Sequence, residues 1–440
     1  MSTAPVPKQA PPPAATDPAV YAEYGAKWST YPTDAAGWLQ RAKEVSEVLL
    51  VDAAAREKAN KSPRAEIALL KHSGLLRILG PKEYGGGEQP WSVGYQAIRE
   101  VAKGDGSIGM LLGYHLLWSR TAHVVGNASQ AERFQKWIIK NNYYVGGAVN
   151  PRDSDLKITY DDSKITFNGF KNFTTGAAVS DLLVLEGALV DQPELHIFAI
   201  VPTRQEGIEF DYNWDNLGLR LTESGSGKVE GVEVAWEDAL GWDVQTKKPA
   251  QEEGAGVFPT LLLPTIQLVF SNFYLGIAQG ALEAARGYTV AYTRAWPFGG
   301  GLAATDDKAK GTDEFYVLQA YGNFYAHLAA AEALADKAGL EADRIYGQYQ
   351  DQKGELTFQE RGEWAELVAS VKVVTTDTGL RVTSGIFEVV GARATAGKLG
   401  LDRFWRDIRT HTLHDPVAYK NRELGRWWLL GEVPVPTWYT

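Results

Sequence analysis

The sequence predicts an α+β protein in which a helical segment, a run of short strands and a bundle of long helices follow one another along the chain. Three observations carry this. Trp38, Ala42, Val45 and Leu49 recur at helical spacing. Leu156, Ile158 and Tyr160 alternate, as do Ile165 and Phe167 after a turn at Asp161-Asp162. Beyond Gly254 the helical period returns over much longer stretches. Strands and helices segregated in this way exclude a doubly wound parallel sheet.

Residues 1–17 are rich in Pro and Ala and lack large apolar side chains, so they read as a disordered tail. Residues 18–142 read as an N-terminal helical domain, punctuated by Gly74, Pro81 and Gly85-Gly86-Gly87. Residues 143–250 read as a β-barrel domain, with the hairpin above and further strands at 182–185, 195–201 and 232–234. Residues 251–440 read as a four-helix bundle. Its stripes run through Ile266, Phe270, Phe273, Ile277, Ala281, Ala284 and Tyr288, then Val317, Tyr321, Phe324, Leu328, Ala331 and Ala335, then Trp364, Leu367, Val371 and Thr378.

Composition narrows the chemistry. The chain has 440 residues, 45% of them hydrophobic and 22% charged, the usual balance of a globular protein. With no cysteine there is no thiolate nucleophile and no Cys-ligated zinc or iron–sulfur site. A net charge of −10 argues against nucleic acid as a partner. The longest apolar run, 257–270, contains Pro259 and Pro264, so no membrane span is expected, and the N-terminus has no signal-peptide pattern. A cytoplasmic location is the expectation.

Two of the seven histidines, His411 and His414, fall in the motif H-T-L-H-D, which on a helix places them on one face. A metal site at His411, His414 and Asp415 has no supporting ligand elsewhere in the sequence, so no metal is expected. A hydrogen-bonded helix end before Pro416 is one reading. A proton donor in a cleft is the functional one, because imidazole titrates near neutral pH. The segment Lys171, Asn172, Phe173, Thr174, Thr175 and Gly176 combines an aromatic ring, two hydroxyls and a turn suited to a flat polar ligand. Arg294 and Arg393 are candidate phosphate partners.

Several segments together resemble the acyl-CoA dehydrogenase superfamily: Gly74-Leu75-Leu76, P-K-E-Y-G-G at 81–86, N-G-F-K leading into F-T-T-G at 168–176, L-G-L-R at 217–220 and W-R-D-I-R at 405–409. Within it, D-G-S-I-G-M-L-L-G-Y-H-L (105–116), the 267–282 segment, F-E-V-V-G-A-R (387–393) and the 402–420 segment resemble the two-component flavin monooxygenases of the dibenzothiophene monooxygenase type. The resemblance covers nearly everything after the tail. It implies a helical domain, a β-barrel and a four-helix bundle assembled as a homotetramer. It also implies an enzyme that receives reduced FMN from a separate NAD(P)H-dependent reductase and, through a flavin hydroperoxide, oxygenates a small, aromatic or heteroatom-bearing substrate with O₂. The acceptor atom stays open among sulfur, nitrogen and activated carbon. An FAD-dependent acyl-CoA dehydrogenase or oxidase using Asp415 is the alternative.

Carried over by position, the resemblance assigns cofactor contacts to Tyr114, to Gly147, Ala148, Val149, Asn150, Pro151 and Arg152, to Lys171 through Thr175, and to Ala392, Arg393 and His414. Arg294 corresponds to an arginine that reaches the phosphate of a neighbouring subunit's flavin. His414, Thr175 and Tyr114 are the expected catalytic residues. Met110, Gly147, Phe173, Trp214 and His411 are the expected substrate-pocket residues. Three positions depart from the family pattern: Met110 stands for His, Gly147 for Asn and Thr175 for Ser.

Overall fold

A computed structural model of the chain describes residues 15–150, 155–250, 256–437 and 440. The N-terminal helices are α1 (Glu23–Lys27), α2 (Ala35–Leu50), α3 (Ala53–Ala59), α4 (Arg64–Ser73), α5 (Trp91–Gly104), α6 (Gly106–Ser119), α7 (Thr121–Val125) and α8 (Ala128–Asn141). The stripe Trp38, Ala42, Val45 and Leu49 is buried along α2, as the periodicity required. Helix α6 is different: all fourteen of its residues are buried, so it is apolar on every face and runs through the middle of the molecule. Asp105 caps its start, accepting from Ile108 N at 3.1 Å, and is itself held by Arg56 at 2.8 Å. Close packing needs Gly113, where a Cβ would lie 2.4 Å from Val269 Cγ1 of the next long helix.

The strands are β1 (Val145–Ala148), β2 (Lys157–Tyr160), β3 (Lys164–Lys171), β4 (Leu182–Leu189), β5 (His196–Pro202), β6 (Ile208–Phe210) and β7 (Gly227–Ala235). They form one curled sheet in the order β1-β4-β2-β3-β7-β6, with β5 on β4. The hairpin is β2–β3, with Ile158 opposite Phe167 and Tyr160 opposite Ile165. Its turn is closed by Asp161, which accepts from Ser163 N at 2.8 Å and Lys164 N at 3.0 Å. Strand β1, V-G-G-A, carries no strand signal because two of its four residues are glycine. It pairs parallel to β4 and so places Gly147 at the border between sheet and helices.

The C-terminal helices are α9 (Leu262–Tyr292), α10 (Phe315–Tyr349), α11 (Phe358–Val390), α12 (Asp402–His411) and α13 (Val417–Leu430). The expectation that Pro259 and Pro264 interrupt the apolar run is corrected. Pro259 lies in a 3₁₀ turn and Pro264 in the first turn of α9, where a missing N–H costs no hydrogen bond. The resulting helix, Phe258–Tyr292, is long and apolar enough to cross a bilayer by length and composition, but 83% of its apolar window is buried inside the protein. It is the axis of the core. The N-terminal and C-terminal helices share one continuous apolar cluster, while the sheet has its own around Phe167, Leu185 and Trp236. Arg99, buried on α5, ties the shared cluster together through Asn272 of α9 at 2.8 Å and Glu332 and Asp336 of α10 at 2.8 and 2.7 Å.

Asp407 of α12 fastens the sheet side to this cluster. Its carboxylate accepts from Leu219 N at 2.6 Å, and Gly218 lies against the backbone of Arg406 and Asp407. Burial pushes the Asp407 carboxyl up to about 7, against the Leu219 N–H, which favours the anion. The folded state therefore holds a proton that the unfolded chain has released, and this contribution to stability falls as pH rises from about 4 to about 7. Asp407→Asn keeps an oxygen for Leu219 and removes the titration. The stability difference between variant and parent should shift in the variant's favour across that interval in denaturant unfolding. A difference independent of pH would contradict it.

Candidate active site

The residues expected around the reaction centre come from three parts of the fold. Tyr114 lies on α6, Thr175 follows β3, and His411 and His414 lie at and beyond the end of α12. A side chain not anticipated from the sequence, Tyr274 of α9, completes the centre. The Tyr114 hydroxyl is 3.2 Å from His411 Nε2, and the Tyr274 hydroxyl is 2.7 Å from His411 Nδ1. Tyr274 also lies 3.2 Å from the His411 carbonyl. If Tyr274 donates to that carbonyl, its oxygen accepts Nδ1–H and Nε2 is left to accept the Tyr114 proton, an assignment fixed by the network rather than by hydrogens.

Burial lowers His411 well below the usual imidazole range, and His414 and Lys372 push it in the same direction. His411 is therefore neutral. Burial raises both tyrosines, Asp415 adds to the rise, and the Thr175 hydroxyl opposes it at Tyr114. The Thr175 hydroxyl meets Ser224 Oγ at 2.9 Å, which in turn meets Thr222 Oγ1 at 2.7 Å. Phe270 and Phe273 of α9 wall in the histidine, their ring centroids 4.5 and 4.9 Å from His411.

His414 is not on the helix that carries His411. Helix α12 ends at His411, and His414 N donates to the His411 carbonyl at 2.9 Å in the following turn. The two imidazoles nevertheless stack, 5.2 Å apart and 8° from parallel. His411 is buried, while the His414 side chain is 43% exposed. His414 Nδ1 lies 3.1 Å from Asp415 Oδ1. Asp415 also pairs with the buried Lys372 of α11. Burial would raise Asp415, but His414 and Lys372 outweigh it and hold the carboxylate ionised. A carboxylate so engaged is not a free base. Nor does the H-T-L-H-D motif gather on a cation: both ring nitrogens of His411 face tyrosines, and no cluster of three or more metal-ligating side chains occurs among the described residues.

The remaining expected residues divide into two groups. Gly147 N donates to the Thr175 carbonyl at 3.4 Å, which joins β1 to the segment after β3. Ala148 is buried, and Val149 and Asn150 are half-buried. Pro151 and Arg152 lie outside the described residues. Lys171 is buried and committed internally: its ammonium pairs with Glu186 at 2.8 Å and donates to the Asn150 carbonyl at 2.8 Å. It shapes the 147–150 segment rather than offering a free charge. Asn172 is half-buried and the Thr174 hydroxyl donates to the Gly225 carbonyl at 3.0 Å. Phe173 is exposed at φ 57°, a costly conformation for a bulky residue, and its ring meets Trp214 edge-on at 6.3 Å. Met110 is buried on α6, one turn before Tyr114. The second group is remote. Arg294, Ala392 and Arg393 are exposed at the far ends of α9 and α11, where Arg393 donates to the Tyr292 carbonyl at 3.2 Å. Most of α9 separates them from Phe270, about 30 Å at 1.5 Å per residue.

The family models for the acyl-CoA dehydrogenase N-terminal domain and C-terminal domain match residues 40–141 and 268–418. The chain is 39% identical over 407 residues to dibenzothiophene monooxygenase of Mycolicibacterium goodii, covering 90% of this chain and 95% of that one. The chain belongs to this family of flavin-dependent monooxygenases, on the acyl-CoA dehydrogenase fold. A probable FMNH2-dependent monooxygenase, SfnC of Pseudomonas putida, is 32% identical, with 91% of this chain and 96% of that protein covered. The solved complex of TdsC from Paenibacillus sp. A11-2 with FMN and indole superposes with a TM-score of 0.82 at 34% identity, covering 92% of this chain and all of that one.

Sequence reasoning missed Tyr274, Phe270 and Ser224. Phe270 and Tyr274 are four apart on α9, but such a stripe reads first as core packing. The Asp415–Lys372 pair sets the position of His414. Asp415→Asn leaves Lys372 without a counter-charge and should cost about 3–5 kcal/mol in chemical unfolding at pH 7. Lys372→Met in the same chain should recover part of that loss. A cost under about 1 kcal/mol would show that the pair does not hold this corner together.

Proposed function

We propose that the protein binds reduced FMN, delivered by a separate NAD(P)H-dependent flavin reductase, and oxygenates a small aromatic or heteroatom-bearing substrate. The observation that carries this is the buried Tyr114–His411–Tyr274 link, with half-exposed His414 stacked beside it. The residues fit a flavin: Phe173 stands exposed on a strained loop two residues before Thr175, beside Trp214, and Lys171 at the start of that segment ties it to the Asn150 carbonyl just after β1. When bound, reduced flavin supplies the electrons that activate O₂, so that one oxygen atom enters the substrate and the other leaves as water.

The chain's own part is to bind, to keep water out and to manage protons. Tyr114, Thr175 and the backbone of 147–150 would hold the ring system, and Phe270 and Phe273 keep the histidine side dry. Asp415 accepts from His414 Nδ1–H, which leaves Nε2 as the atom that gives up and regains a proton. Neutral His411 fixes Tyr114 without bringing a charge into the pocket.

The remote arginines belong to a shared site in this reading. Arg294 is about 30 Å along α9 from the centre of its own chain, and α10 exposes Phe315, Leu318 and Tyr325 on its outer face. A homotetramer covers that face and brings Arg294, Ala392 and Arg393 to a neighbour's cofactor. A cytoplasmic setting goes with the same reading, because the reductase draws on NAD(P)H.

Two variants test the assignment together. His414→Ala should leave reduced-FMN binding and the melting curve nearly unchanged while product per reduced flavin drops and H₂O₂ rises. Arg294→Ala should weaken reduced-FMN binding by about 1.5–3 kcal/mol, the usual worth of a charge-assisted contact, with coupling preserved. Tighter binding of FAD than FMN, normal coupling in His414→Ala, or full flavin affinity in a monomer would each remove its part of the proposal.

A further inference from the structure

Helix α6 carries Met110, Tyr114 and Trp118 at intervals of four, so the three share one stripe. The third was no part of the expected site. Trp118 is only 7% exposed, and its ring packs edge-on against Tyr114 with centroids 6.2 Å apart. Its indole Nε1–H is buried with no hydrogen-bond partner. A buried, unpaired donor is costly unless something else satisfies it, and indole N–H has no acceptor capacity.

The position of that N–H is set by Gly147. A Cβ built on Gly147 would lie 2.4 Å from Trp118 Nε1, 2.6 Å from Cε2 and 3.0 Å from Cδ1. The pyrrole edge of the indole therefore occupies the space where any side chain at position 147 begins. Gly147 shares its strand face with Val145, which packs into the helical cluster, while Ala148 turns into the sheet core. Gly147 N also donates to the Thr175 carbonyl. The unpaired N–H thus sits between Tyr114 and the strand that borders Thr175.

We propose that Trp118 Nε1–H is the substrate-orienting donor of this pocket, and that it selects substrates presenting a hydrogen-bond acceptor, such as a sulfoxide, sulfinate or carbonyl oxygen, at that end. Glycine at 147 is the condition for it, because a side chain there evicts the indole. A side-chain amide at this position both donates and accepts. Indole N–H only donates, so a substrate whose own polar group is an N–H meets no partner here. The assignment rests on the monooxygenase reading for its substrate but not for its geometry, so binding and packing test it without turnover.

The probes are benzothiophene sulfoxide, an acceptor, and indole, a donor of similar size, titrated by calorimetry into the full-length protein. The parent should bind the sulfoxide at least tenfold more tightly than indole. Trp118→Phe should cut that preference about tenfold and leave reduced-FMN affinity as it was. Gly147→Ala should lower the melting temperature by several degrees, and Gly147→Ala combined with Trp118→Leu should regain most of the loss relative to Trp118→Leu alone. An unchanged preference in Trp118→Phe overturns the donor assignment. So does weakened reduced-FMN binding in that variant, since the N–H would then belong to the flavin. Equal tolerance of Gly147→Ala in both backgrounds overturns the coupling. Failure of the parent to oxygenate any substrate with reduced FMN and O₂, alongside the expected binding pattern, would defeat the monooxygenase reading and leave the donor in place.

Discussion

The neutral imidazole of His411 is the point on which the site depends. It is buried among Phe270, Phe273 and two tyrosines, and both ring nitrogens are engaged by hydroxyls from different helices. An imidazolium at this place would be an uncompensated charge in an apolar shell, and the carboxylate whose charge acts on it, Asp415, is already paired with Lys372 and His414. The shell therefore enforces neutrality. Neutral His411 in turn fixes the Tyr114 hydroxyl, and in the proposed reaction it leaves the proton-handling role to His414, the more exposed of the two imidazoles.

The fold around this point follows from two apolar helices. Helix α6 is buried on every side and α9 nearly so over its central turns. Both must be enclosed, and the enclosure draws N-terminal and C-terminal helices into one cluster. The sheet keeps a separate core and meets the helices along β1 and the 217–224 segment, where Asp407 receives Leu219 N–H. The proposed reaction centre lies near the seam between the two clusters, which is why its residues come from widely separated parts of the sequence.

Helix stripes and the β2–β3 hairpin were legible because their apolar periods are strong and Asp161 closes the turn. Strand β1 was not, because its two glycines, one against the Gly176-Ala177 backbone and one making room for an indole, look like a loop. The role of His414 could be approached from its motif, but its place beyond the helix end could not, since the spacing of three suits a helix and a tight turn equally. Lys171 read as a ligand contact from its segment, and its side chain is half of a buried ion pair, which could not be read without Glu186 fifteen residues away. Tyr274 and Trp118 were hidden among core aromatics. Only contact with His411 in one case, and an unpaired N–H over Gly147 in the other, separates them from packing.

The protonation state of His411 can be read directly by nitrogen NMR on protein labelled at histidine, with His411→Gln to assign its signals. The Nδ1–H tautomer should persist unchanged from pH 8 down to pH 5. A His411 that protonates with an ordinary imidazole midpoint, or that exchanges freely between tautomers, would contradict the account of a neutral residue locked between two tyrosines.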